Sequence, residues 1–182
     1  MDLLTHLFLP ITVAYVVRPA LFPSPSYLLL AGFAVLPDID KLLGLQGALH
    51  SIITLGLLGG IVFVAERWHR DDSTYAIVII TLLFSHLLLD FLNGGPVTFL
   101  YPLSNVGFGL TYPTELVLGD TVGTTGVRNP APAVATDAPN RSRAAYPLVN
   151  GYGVLSGLTF LIIYARGSLS ERLSVRGPDR ET

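Results

Sequence analysis

Apolar residues in this chain come in long runs, and polar residues gather where the runs begin and end. A bilayer core asks for about 20 mostly apolar residues per helix, with about 17 as a practical minimum. Residues 3–17 form a short first run that stops at Arg18 and a Pro-rich turn, Pro19 to Pro25. Residues 26–45 form a second, interrupted by Pro37, which disfavours helix at the residue before it. His50 to Trp68 is a third run, and its Gly56-x-x-x-Gly60 spacing predicts a face that another helix can approach closely. Tyr75 to Leu92 is a fourth, and Tyr146 to Ala165 the last. The stretch 94–118 is apolar but carries Pro96, Pro102, Asn105, Pro113 and Glu115. It reads as a re-entrant segment or one packed over the bundle.

The expectation is therefore an all-α, polytopic transmembrane helical bundle of about five spans. Residues 1–166 make up one integral membrane domain. Residues 119–145, rich in Gly, Pro, Thr, Ala and Asn, form a flexible polar outer loop, and 167–182 a basic cytoplasmic tail. Aspartate and histidine stand where a secretory signal would carry positive charge (Asp2, His6), so the first run reads as a retained helix.

Composition agrees with this picture. The 182 residues are 51% hydrophobic and 13% charged, with mean hydropathy +0.57, against about 25% charged for an ordinary soluble domain. The net charge of −2 and the lack of a basic tract in the body of the chain argue against a nucleic-acid partner. With no cysteine, metal ligands must come from His, Asp and Glu. Arginines at 18, 67, 70, 166, 172, 176 and 180 assign those ends to the cytoplasm, with Arg128, Arg141 and Arg143 as a minor conflict. That topology puts the C-terminus inside, in a multi-pass plasma-membrane protein.

The same topology collects chemistry at one level. Alternating the spans brings His6, Asp38, Asp40, His50 and Asp90 to the outer end of the bundle, with His86 one turn deeper. Ionisable groups at membrane segments are costly and usually mark function. His86 and Asp90 are four apart, on one helical face. The bland reading is a His–Asp hydrogen bond between helices. Asp38 and Asp40 after Pro37 suit a helix start at the positive end of its dipole. Placed beside the apolar run Leu28–Leu36, however, they repel unless a cation or protons neutralise them. His50 and His6 could equally be interfacial caps. His69, in the predicted cytoplasmic loop, lies on the wrong side. Glu115 is a further carboxylate that could serve as a general base. No nucleophile elbow, HExxH, P-loop or dinucleotide fingerprint is present.

In order and spacing, His6, Leu36-Pro37-Asp38-Ile39-Asp40, His50-Ser51 and Ser85-His86 with Asp90, followed by Gly94-Gly95 and Leu100-Tyr101-Pro102, resemble the YdjM-like family. These are membrane-bound, metal-dependent hydrolases of the LexA-regulated inner-membrane type. The resemblance covers roughly residues 1–105. It implies a distant relation to zinc-dependent phospholipase C and P1 nuclease, and so hydrolysis of a phosphate ester or lipid-linked substrate at the outer face. Metal ligands would be His6, Asp38, Asp40, His50, His86 and Asp90, holding one or two divalent ions, zinc foremost, and Asp40 or Asp90 would act as catalytic base. Family members often carry His-Arg shortly before His-Ser, where this chain has Leu45-Gln46-Gly47-Ala48-Leu49. That departure removes a basic group suited to phosphate. Two rivals stand beside this expectation: a non-enzymatic protein with a structural metal or His–Asp clamp, and a small cation or proton transporter.

Overall fold

The structure is a computed structural model, describing residues 2–45, 47–93, 95–112, 115–117, 126–128, 133–137 and 148–175. It is mostly helical. Helix α1 is Leu3–Val17, α2 the single turn Ile39–Leu42, α3 Ile52–Arg70, α4 Thr74–Leu92 and α5 Gly151–Val175. Three of them (α3, α4 and α5) are long and apolar enough to cross a membrane, while α1 and the segment Pro25–Ala34 are shorter.

The second apolar run departs from the expected span. Residues Pro25–Ala34 form a 3-10 helix, followed by a short one at Leu36–Asp38 and then α2. A 3-10 helix rises about 2.0 Å per residue, so ten residues cover about 20 Å where an α-helix covers about 15 Å. The segment uses that reach to traverse the bundle. Tyr27 stacks on Tyr75 at the start of α4, while the Ala34 carbonyl oxygen meets His86 near the end of α4.

Direction of travel follows from such pairs. Helices α1 and α5 run parallel: the Asn150 N–H donates to the Asp2 carboxylate, Phe8 packs on Phe160, and Tyr15 on Tyr164. Helix α4 returns antiparallel to α3, tied at the turn where the Tyr75 and Ala76 N–H groups donate to Glu66. Asp72 sits in the same turn. Hydrogen bonds from the Ser73 N–H and the Thr74 hydroxyl hold its carboxyl below the ordinary carboxylate value. One end of the bundle thus collects Arg18, Arg67, Arg70 and Thr74, and the opposite end collects His6, His50, His86 and Asp90.

Between helices in lipid, close packing replaces the hydrophobic effect as the adhesive. The core of α3 and α4 is Leu55, Ile79, Leu83 and Leu87, with Val97 laid across it. The close approach of these helices uses Gly59, where an added Cβ would stand 2.7 Å from Ile80 Cγ1. Gly56 and Gly60, the pair singled out by spacing, meet nothing within 4 Å.

The fold also contains strand, which the all-α expectation omitted. Strand β1 (Gly107–Thr111) pairs antiparallel with β4 (Ala133–Asp137), and β2 (Glu115–Val117) with β3 (Gly126–Arg128). Strands β3 and β4 fall inside the stretch expected to be loop. The rest of 119–145 lies outside the described residues, as do the Glu115 side chain and the tail beyond 175. Residues 95–108 do not cross the bundle as a helix. They fold over the end that holds His50 and His86: the Ile52 N–H donates to Phe99 O, and the Ser51 hydroxyl to Tyr101 O at 2.6 Å.

Candidate metal centre

Four side chains meet at that end of the bundle. Asp38 ends the short 3-10 turn, His50 precedes α3, and His86 and Asp90 share one face of α4. One ligand atom from each lies within 4.8 Å of all the others. His86 Nε2 is 3.4 Å from both Asp38 Oδ1 and Asp90 Oδ2, and His50 Nε2 is 3.6 Å and 3.4 Å from the same two atoms. The two Nε2 atoms are 3.2 Å apart. His86 is fully buried, His50 and Asp38 nearly so, and Asp90 reaches furthest toward the surface, at 14% exposed.

The outward nitrogens explain the orientation of the rings. His86 Nδ1 faces the Ala34 carbonyl oxygen at 2.8 Å, and His50 Nδ1 the Asp40 carboxylate at 2.9 Å. His6 Nδ1 faces the Asp2 carbonyl oxygen at 3.0 Å. All three partners are acceptors, so each ring donates from Nδ1 and turns its Nε2 toward Asp38 or Asp90. Anchoring of this kind is how proteins prepare imidazoles for a metal.

His6 lies against the same group. Its ring is 4.2 Å from that of His86, centroid to centroid, and its Nε2 is 3.1 Å from Asp90 Oδ1. Although buried, that Nε2 has no hydrogen bond. A buried ring nitrogen left beside a carboxylate oxygen is an arrangement that a shared proton or cation resolves.

Asp40 stands behind His50. Fully buried, it receives three hydrogen bonds on Oδ2: from the Gly47 N–H (3.1 Å), the Leu49 N–H (3.1 Å) and His50 Nδ1. The chain can return to it because Gly47 adopts φ +91°, and because a Cβ there would sit 2.8 Å from Thr98 Oγ1. His69 is exposed in the last turn of α3, at the opposite end.

Two participants had no assigned role in the sequence. Lys41, the only lysine of the chain, pairs with Asp38 Oδ1. It places a cation beside the centre, where the missing His-Arg had left none expected. The i, i+3 spacing of Asp38 and Lys41 was the available signal. Asp2, buried against Thr5 and the start of α5, positions His6; a lone acidic residue near a terminus carries no such signal.

A helical bundle with apolar membrane-length helices and a buried two-His, two-Asp group at one end defines a class: a polytopic membrane protein with a candidate metal-binding centre. The chain belongs to the YdjM inner membrane protein family, whose profile matches residues 1–166. Among curated proteins and solved structures, none matches the chain.

Proposed function

We propose that this protein is a membrane-embedded, metal-dependent hydrolase acting on a phosphate ester or lipid-linked substrate at the outer membrane face. The observation that carries the reading is the set of three imidazoles, each held by an acceptor on Nδ1 and turned with Nε2 toward Asp38 or Asp90. Asp38, His50, His86 and Asp90 would hold one divalent ion, a nitrogen and oxygen donor set that suits zinc, and hydrolysis would require Asp90, the most exposed of the four, to yield its position to water. When bound, such an ion polarises an ester and lowers the pKa of a water to about 7. His6 would face the ion's neighbourhood across Asp90. Asp40 orients His50, and Asp90 lies where substrate approaches. Lys41, paired with Asp38, would offer a cation to an incoming phosphate. The arginines at the other end of the bundle support an outward-facing site by the positive-inside rule.

Burial of His50 and His86 favours a second reading, in which a saturated ion only clamps the helices. Metal content by plasma mass spectrometry, wild type beside His86→Ala, is the first test. The proposal expects about one zinc per chain, lost in the variant, with phosphodiesterase activity in the loaded wild type. Metal without turnover of any phosphate ester favours the clamp. No metal after reconstitution refutes both.

A further inference from the structure

Between α1 and α4 runs a lateral groove of about 560 Å³, within the roughly 300–1,000 Å³ range of small-molecule sites. Its walls are Leu9, Val13 and Val17 on α1 and Ile77, Thr81 and Ser85 on α4. The hydroxyls there are spent within the chain, Thr81 on Ile77 O, Ser85 on Leu82 O and Thr74 on Asp72, so apart from Arg18 at one end the lining offers little to a polar ligand. One end lies at Arg18 and Thr74 and the other at Leu9 and Leu89. Thr74 to Leu89 spans about 22 Å at about 1.5 Å per residue, longer than one hydrocarbon leaflet of about 15 Å.

The groove ends at Leu9 and Leu89, beside the turns of α1 and α4 that carry His6, His86 and Asp90. On α1 its stripe of residues 9, 13 and 17 extends one turn back to His6, since Leu9 follows His6 by three. On α4, the lining residues Leu82 and Val78 share a face with His86, one and two turns before it. An apolar channel thus begins in the bilayer and ends beside a centre that carries the Lys41 ammonium. That combination matches a molecule with an anionic phosphate and a long hydrocarbon chain.

Building on the hydrolytic reading above, we infer that the substrate is a membrane phospholipid, its acyl chain lying in the α1–α4 groove and its phosphate at the Asp38–His50–His86–Asp90 centre. Hydrolysis then forms a bond from water oxygen to phosphorus and breaks one phosphorus–oxygen ester bond. The water proton ends on the departing alcohol, with no redox change.

The test uses the full-length, zinc-loaded protein in phosphatidylethanolamine/phosphatidylglycerol vesicles doped with a phosphatidylglycerol bearing a diazirine on its acyl chain. After irradiation, adducts are expected on residues 9–17 and 77–85. Alongside, the Val13→Trp/Thr81→Trp variant should keep its zinc. Its turnover of long-chain phosphatidylglycerol relative to soluble bis(p-nitrophenyl) phosphate should fall at least about tenfold, because two indoles displace several methylenes. Adducts concentrated on the exposed α3 face at Leu57, Ile61 and Val64, or an unchanged selectivity ratio, would overturn the inference. Turnover of the soluble ester with such scattered labelling rejects the lipid site and keeps hydrolysis. Groove labelling with no turnover of either ester rejects hydrolysis instead, and with it the assignment of the lipid as substrate.

Discussion

Replacing Asp40 with Asn separates two roles for this carboxylate, direct ligand and orienting partner. Asn keeps the volume and one carbonyl oxygen, which can still accept from Gly47 N–H, Leu49 N–H and His50 Nδ1 where Oδ2 now does. What it removes is the negative charge behind the imidazole. Outer carboxylates of this kind are worth about ten- to a hundredfold in metal affinity, or about 1.4–2.8 kcal/mol at about 1.4 kcal/mol per decade. The new NH2 occupies the place of Oδ1, which is buried without a partner. That adds a folding cost of about 1–3 kcal/mol for an unsatisfied donor. Chelator-competition titration of zinc gives the affinity, and the visible spectrum of the cobalt-substituted protein reports the ligand field. The expected result is a ten- to hundredfold weaker site with unchanged stoichiometry and a spectrum of the same coordination class. Affinity within twofold of wild type would refute the orienting role. Loss of all stoichiometric binding would make Asp40 a ligand, as the paired aspartates had suggested.

Other substitutions probe the supports. His6→Ala removes an Nε2 that lacks a hydrogen bond and faces Asp90 Oδ1; zinc titration should show weakened but stoichiometric binding, and unchanged affinity would detach His6 from the centre. Gly47→Ala forces a side chain into a positive-φ position against Thr98, at a cost of about 1–3 kcal/mol. Thermal unfolding in detergent should register it, together with weaker metal binding as Asp40 loses its donors. Glu66→Ala strips the acceptor from the Tyr75 and Ala76 N–H groups at the start of α4. The loss should resemble that of an N-cap, about 0.5–2 kcal/mol, with zinc content unaltered at the far end of the bundle. Lys41→Met should raise KM for an anionic phosphodiester while tightening zinc, because the competing cation on Asp38 is gone; a KM that stays put would refute its part in phosphate binding.

Much of this site could be read along the chain because membrane burial makes polar residues conspicuous. His6, Asp38, His50, His86 and Asp90 interrupt or terminate apolar runs, and alternating helices bring run ends to a common level. What stayed hidden depends on contacts distant in sequence or on which face of a helix turns inward. Asp40 looked equivalent to Asp38, and only the return of Gly47 and Leu49 to its Oδ2 distinguishes them. Glycine spacing marked 56 and 60, but the side of α3 that meets α4 is fixed by Leu55 and Gly59. The second run is apolar enough for a helix of either kind, and hydrophobicity alone does not reveal that it winds as 3-10 to reach from Tyr27 at one end to Ala34 at the other. Strands β1 and β2 lay in a stretch read as apolar and re-entrant, and β3 and β4 in one rich in Gly, Pro and Thr. Runs of three to five residues are too short for alternation to announce a strand.

Charge arithmetic makes a cation the economical occupant of this end of the bundle. Asp2, Asp38, Asp40 and Asp90 contribute four negative charges and Lys41 one positive, a formal balance of −4 + 1 = −3 with neutral imidazoles. Burying uncompensated charge is expensive, and a divalent ion reduces the sum to −1. Two extra protons on His50 and His86 would reach the same sum. Their Nδ1 positions, however, already hold protons donated to Asp40 and Ala34, so both would have to sit on Nε2 atoms that face each other at 3.2 Å. Both Nε2 atoms also lie 3.4–3.6 Å from Asp38 Oδ1 and Asp90 Oδ2. One divalent ion would take the place of both protons and meet two imidazoles and two carboxylates at once. Chelation should consequently loosen the junction of Asp38, His50 and α4, lowering the unfolding temperature of the wild type and leaving that of His86→Ala where it was.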